Sequence, residues 1–160
     1  MQLHAPFRSS TALVILALAV SACGGGSNND GSADSGEVVN CQGDPRVLTY
    51  TPPVTIQSQS KTMKFTLNQS SPAPPARGTD TWNIHVTDAN GAALSNLTLN
   101  AKPFMPDHGH GPAVTPAVAN NGNGDYTVTN LYFFMAGVWQ VTLTAQGSTD
   151  SAVFTFCVPG

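Results

Sequence analysis

Charge is scarce in this chain: Asp, Glu, Lys and Arg together make up 9% of its 160 residues. Nothing resembles the basic stripe that neutralises phosphates, so no nucleic-acid partner is expected. Cysteine is nearly absent, with three in all, and no Cys-x-x-Cys pair or His-rich spacing accompanies Cys41 or Cys157. No segment sustains a 3.6-residue apolar period, and no apolar run reaches the length of about 20 residues that a membrane-spanning helix needs. Catalytic motifs are missing as well. There is no Gly-x-Ser-x-Gly elbow, no phosphate-cradling glycine loop after a strand, and no acidic pair at glycosidase spacing. His108 is only a sequence neighbour of Asp107, which does not make a dyad. An enzyme is not expected.

What remains is 41% hydrophobic, rich in Thr, Asn, Ser and Gln, with 15 Gly and 12 Pro. That mixture suits short strands and turns. Short candidate strands are Val47 to Tyr50 and Val54 to Ser58, separated by Pro52-Pro53. From Lys61 to Leu67 the residues alternate, with Met63, Phe65 and Leu67 on one face. A Pro-rich loop is expected from Asn68 to Thr79. The strongest pattern is Thr81 to Asp88, which turns Trp82, Ile84 and Val86 inward and Asn83, His85 and Thr87 outward. After the turn Asp88-Ala89-Asn90-Gly91, Leu97, Leu99 and Ala101 alternate inward on a strand ending at Phe104-Met105. A short run through Val114 and Val118, a turn at Asn120 to Gly124, and strands Asp125 to Phe134, Val138 to Ala145 and Ala152 to Val158 complete the chain. The fold class predicted is all-β: an immunoglobulin-like antiparallel β-sandwich of about seven strands.

The first 22 residues have the parts of a secretory signal: Arg8, an apolar run from Ala12 to Val20, then small residues. Val20-Ser21-Ala22-Cys23 resembles the lipobox of bacterial lipoproteins. The resemblance implies cleavage before Cys23, diacylation of its thiol and attachment to a membrane through that lipid. Gly24 in place of Asp implies the outer membrane, facing the periplasm. Losing Arg8 leaves five basic against nine acidic residues, 5 − 9 = −4. Residues 23–36, a Gly/Ser/Asn/Asp run, cannot bury enough surface to order themselves and read as a flexible tether. The folded domain is expected over residues 37–160. In an oxidising compartment Cys41 and Cys157 form an even pair, read as a disulfide in preference to a thiolate metal pair.

One segment stands apart, Met105-Pro106-Asp107-His108-Gly109-His110-Gly111-Pro112. It offers two imidazoles at i and i+2, a thioether three residues earlier, and glycines that let the backbone bend. A second thioether, Met135, lies in the turn Phe134-Met135-Ala136-Gly137. Alternating strand directions bring both segments to one end of the sandwich. Thioether plus imidazole favours a soft ion, Cu(I), at Met105, His108, His110 and Met135. The alternative is a turn whose imidazoles bond to nearby backbone, with Met135 filling the core beneath Trp139. His85, mid-strand, is read as an ordinary exposed residue.

These same residues carry a resemblance. A Trp-containing strand running into Asp88-Ala89-Asn90-Gly91, then Met105-Pro106-Asp107-His108-Gly109-His110-Gly111, Gly124-Asp125-Tyr126 and Phe134-Met135-Ala136-Gly137-Val138-Trp139 together resemble the YtkA-like (FixH-like) periplasmic domain, over roughly Thr81 to Ala145. The turn departs from the family pattern, with Met-Ala-Gly in place of Met-Pro-Gly. The resemblance implies a β-sandwich module associated with metal efflux or cytochrome oxidase assembly. Two functions are therefore expected in order: a binding module for copper or another soft metal, and, as the alternative, a metal-free interaction or scaffold domain of an envelope complex.

Overall fold

In the computed structural model the described residues are Cys41, 43–147 and 150–160. The expected signal peptide (1–22), its lipidation residue Cys23, the tether (23–36) and the first residues of the predicted domain lie outside them.

Every regular element among the described residues is a strand: β1 Val54–Gln57, β2 Met63–Ser71, β3 Gly78–Asp88, β4 Leu99–Phe104, β5 Ala117–Gly122, β6 Asp125–Phe133, β7 Gly137–Ala145 and β8 Ser151–Val158. They form two sheets, ordered β1-β2-β3-β6-β5 and β4-β7-β8, with all neighbours antiparallel. Leaving out β1, this is the A-B-E-D and C-F-G order of an immunoglobulin sandwich. β1 is an extra edge strand beside β2, the first of those seven.

Alternation explains the core. Met63, Phe65 and Leu67 from β2 and Trp82, Ile84 and Val86 from β3 are all buried, as a period of two on a half-covered sheet requires. They meet Trp139, Val141, Leu143, Phe154 and Phe156 of the smaller sheet in one cluster. Trp82 sets its ring edge-on to Phe154 and Phe156, centroids 5.8 and 5.6 Å away. Burying side chains of this size contributes about 2–3 kcal/mol each. In β6 the alternation slips by one residue: Val128 and Leu131 are both fully buried. The extra residue is accommodated where the pairing with β3 shifts register, beside Asn130 with φ +59°, a left-handed conformation that Asn tolerates.

Several expected boundaries moved. Val47 to Tyr50 is not a strand. Its segment makes one bond to β8, from the Leu48 amide to the Thr155 carbonyl at 2.8 Å, and the prolines at 52 and 53, which have no N–H to give, end any ladder. The Pro-rich loop is shorter than expected, because β2 continues to Ser71 across a register shift after Leu67 and β3 begins at Gly78. The strand expected through Val114 begins only at Ala117, after Pro112 and Pro116, and takes in Asn120 and Asn121, for which the sequence predicts a turn. The reversal is instead made by Gly122, Asn123 and Gly124, all at positive φ. Leu94 and Leu97 pack against the core without joining the β4 ladder.

Candidate functional site

Two connections cross between the sheets at the same end. One leads from β4 to β5 and carries Met105 to Pro116; the other leads from β6 to β7 through Phe134, Met135 and Ala136. Since Phe104 pairs with Gln140, the end of β4 lies beside the start of β7, so Met105 and Gly137 become neighbours. A Cβ at Gly137 would come within 2.8 Å of the Met105 methyl carbon, and its φ is +135°. Glycine therefore forms the cradle in which the thioether lies.

Met105 is fully buried. Its amide donates to the His110 carbonyl at 2.8 Å, and its carbonyl accepts from the Gly109 amide at 2.9 Å. This closes Pro106 to Gly109 into a tight turn, with Gly109 at φ +71°. Both imidazoles are exposed on that turn, with ring centroids 5.6 Å apart. His110 stacks on Phe134, centroids 5.6 Å apart and planes 22° from parallel. Phe134 in turn stands edge-on to Trp139. The Trp139 indole N–H donates to the Met135 carbonyl at 3.0 Å, which fixes the second turn.

An ionic clamp holds the first turn from outside. The Arg46 guanidinium donates to both carboxylate oxygens of Asp107, at 2.6 and 2.9 Å, and to Asp44 at 2.6 Å. Hydrogen bonding to Arg46 lowers the Asp44 carboxyl to about 2 and holds Asp107 below its ordinary value. All three groups are solvated, so the clamp orders the turn more than it stabilises the fold.

Beneath the turn is a cavity of about 410 Å³ lined by Cys41, Asp44, Met105, Asp107, His108 and Gly137. A larger hollow of about 510 Å³ lies between Leu48, Tyr50, Pro74, Pro75 and Phe156. It carries no imidazole, so volume alone does not locate metal chemistry here. Cys41 and Cys157 are joined by a disulfide with Cα atoms 5.4 Å apart.

The structure thus brings Met105 and His108 to one cavity, with His110 on the same turn. Met135 is half-buried against the core and is not among the residues that line the cavity. His85 is elsewhere, on the outer face of the larger sheet, with its Nδ1 2.6 Å from an Asp125 carboxylate oxygen. Among the described residues no three of His, Cys, Asp and Glu are grouped so that they could hold a metal ion. An ion held here would therefore need thioether sulfur. Two neighbours of the turn escaped sequence reasoning: Arg46, distant in the chain, and Cys41, read there only as half of a disulfide.

The model of the YtkA-like family matches residues 57–144, which is more than half of the chain. No curated protein and no solved structure matches it.

Proposed function

The chain belongs to the YtkA-like family, and from that premise we propose that it is a soft-metal-binding module of the cell envelope, with Cu(I) as its ion. The observation that carries this reading is the shared cavity of Met105 and His108. His110, exposed on the same turn, supplies a second imidazole. A soft thioether beside imidazole nitrogens is a donor set that prefers Cu(I) to harder divalent ions. The cradle at Gly137, where a Cβ would crowd the Met105 methyl, holds the thioether side chain in place at the wall of that cavity. Arg46 orders the turn from the solvent side without taking up an imidazole. Met135 serves at most as an additional donor from the adjoining turn. The lipobox-like Val20-Ser21-Ala22-Cys23 supports attachment to a membrane through lipid on Cys23, with the domain in the periplasm at the end of its tether. Partners in metal efflux or oxidase assembly would suit such a carrier.

The test is a competition titration with a Cu(I) chelator on the oxidised protein. Replacing both His108 and His110 by Ala is expected to weaken binding at least tenfold, while His85→Ala leaves it unchanged. Equal affinity in wild type and the His108/His110 variant would refute the reading.

A second reading is favoured by one specific contact. His110 lies flat on Phe134, next to the exposed ring of Tyr132, and an imidazole used as an aromatic surface needs no metal. The chain is then an interaction domain of an envelope complex. Absence of Cu(I) binding by the wild type would favour it.

A further inference from the structure

Three Asn-Gly steps occur in the chain: Asn90-Gly91, Asn121-Gly122 and Asn123-Gly124. A glycine after asparagine leaves its amide nitrogen open to the asparagine side chain, because no Cβ stands in the way. In an unfolded chain the three steps are chemically alike, and the fold makes them unequal. At Asn121-Gly122 both groups are occupied. The Gly122 amide donates to Asn120 Oδ1 at 2.9 Å, and Asn121 Nδ2 donates to Thr127 Oγ1 at 2.8 Å, which pins the side chain across β5 and β6. At Asn123-Gly124 the glycine is buried. Its amide donates to Ser95 Oγ at 3.0 Å, and its carbonyl accepts from the Val86 amide at 2.8 Å. A Cβ there would come within 2.6 Å of the Val86 carbonyl oxygen, so nothing can be added to that peptide while the turn stays closed.

Asn90-Gly91 differs on each count. Both residues are exposed, and a Cβ at Gly91 would meet nothing within 4 Å. The Gly91 amide is held only by a long bond to the Asp88 carbonyl, 3.2 Å. Asn90 is tied through its backbone amide, which donates to Asp88 Oδ1 at 2.8 Å, while its side chain has no hydrogen-bond partner among the described residues. We propose that Asn90 is a spontaneous modification site of the folded protein, converted through a cyclic imide to aspartate and isoaspartate. The Gly91 nitrogen loses its proton to hydroxide and attacks Asn90 Cγ. The new N–Cγ bond closes a five-membered ring, the Cγ–Nδ2 bond breaks, and ammonia leaves with a proton taken from water, which restores the hydroxide. Water then opens the ring at either carbonyl. No electrons change hands, and water is the only co-reactant.

In the isoaspartyl product the main chain runs through the former side-chain carbon and is one methylene longer. That shift pulls at the Asp88 carboxylate, whose Oδ1 accepts from the amides of Asn90 and Ala92 at 2.8 and 2.9 Å, and it sets a second negative charge beside it. The disturbance stops at Leu94. The Leu94 amide donates to the Val86 carbonyl at 2.9 Å, and its carbonyl accepts from the Tyr126 hydroxyl at 2.6 Å, so the core beneath the turn keeps its packing. Because β3 pairs its start with Phe133 and its end with Asp125, this turn lies at the opposite end of the sheet from the Met105 and Met135 turns. The inference is independent of the metal reading.

The experiment ages the oxidised protein for weeks in mildly alkaline buffer, folded in one arm and in concentrated urea in the other. Peptide mass spectrometry reads conversion at each asparagine. Methyl transfer from S-adenosylmethionine by a carboxyl methyltransferase specific for isoaspartate counts the isoaspartyl product. In urea the three sites are expected to convert at similar rates. In the folded protein Asn121 and Asn123 should each be slowed at least about tenfold relative to urea, since they react only when their turn opens, while Asn90 stays within a few-fold of its own urea rate. Asn90→Gln, which would have to close a six-membered ring, should remove nearly all methyl acceptance from the folded protein. Folding that slows Asn90 as much as the other two overturns the proposal. So does conversion of Asn121 or Asn123 in the folded protein as fast as that of Asn90, or methyl acceptance that persists undiminished in Asn90→Gln.

Discussion

Asp80 is a buried carboxylate with an energetic consequence that can be measured. It faces inward on β3, two residues before Trp82, and is fully buried. Among the described residues, neither of its oxygens, nor the Trp82 indole nitrogen, has a hydrogen-bond partner. Burial pushes its carboxyl up to about 6, and the Trp82 indole and the Ala76 amide draw it back only in part, through approaches that fall short of hydrogen-bond geometry. The folded state therefore keeps the proton to a higher pH than the unfolded chain, whose carboxyl titrates near 3.8. The contribution is at its most favourable below that lower value, is lost as pH rises towards 6, and stays lost above it. At about 1.4 kcal/mol per pKa unit, the loss at neutral pH is about 3 kcal/mol. Asp80→Asn removes the charge and keeps the shape. Its amide carries a burial cost of its own, but that cost does not change with pH. The quantity to measure is thus the stability difference between variant and wild type at about pH 7.5, less the same difference at about pH 4, from urea unfolding. The expected value is about 2–3 kcal/mol in favour of the variant at the higher pH. The lowered carboxyls of Asp44 and Asp107 cancel, because both proteins carry them. A double difference near zero would mean that Asp80 is solvated or paired in solution, and the reasoning would fail.

Other perturbations follow from the same contacts. Gly137→Ala forces a side chain into φ +135° against the Met105 methyl; a loss of about 1–3 kcal/mol is expected, together with weaker Cu(I) binding, and unchanged unfolding would show that the cradle is not tight. Replacing both Cys41 and Cys157 by Ser opens a loop with a sequence separation of 116 residues. On the chain-entropy account this costs up to about 5 kcal/mol, read as a lower urea midpoint, and a change under about 1 kcal/mol would contradict it. Cys23→Ala should move the protein from the membrane to the soluble fraction; a wild type that is already soluble and lacks the lipid mass would refute the anchor.

Much of the fold was legible because its rule is local. Trp82, Ile84 and Val86 face the core because a strand alternates, and the same rule carried two residues back would have placed Asp80 inside. It was missed because Pro72, Pro74 and Pro75 suggested a loop reaching to Thr79. The meeting of the Met105 and Met135 turns at one end was legible from strand direction alone. The bridge was legible from parity, with two cysteines left for one bond. Non-local pairings were not. Arg46 meets Asp107 across 61 residues, and no period or motif encodes an ion pair at that distance. The slip in β6 depends on Asn130 accepting a left-handed φ, which many residue types could spoil and none announces.

The two kinds of donor at the candidate site sit on parts of the fold with different stiffness. Met105 follows directly on the last ladder pair of β4, and its thioether lies against the backbone of Gly137, the first residue of β7, so the sheet fixes the sulfur's position. His108 and His110 ride on the tip of a turn closed by hydrogen bonds between Met105 and residues 109 and 110 and braced by Arg46. A buried sulfur on a rigid strand end sets where a soft ion can be held, while exposed imidazoles on a turn can reach inward to meet it. That division also explains the clamp. Arg46 takes Asp107, the carboxylate next to His108, and so would keep that hard oxygen donor from competing with the thioether for the proposed ion. Loss of Arg46 should therefore change which metal is bound more than how stable the domain is, since an exposed pair contributes only about 0–1 kcal/mol.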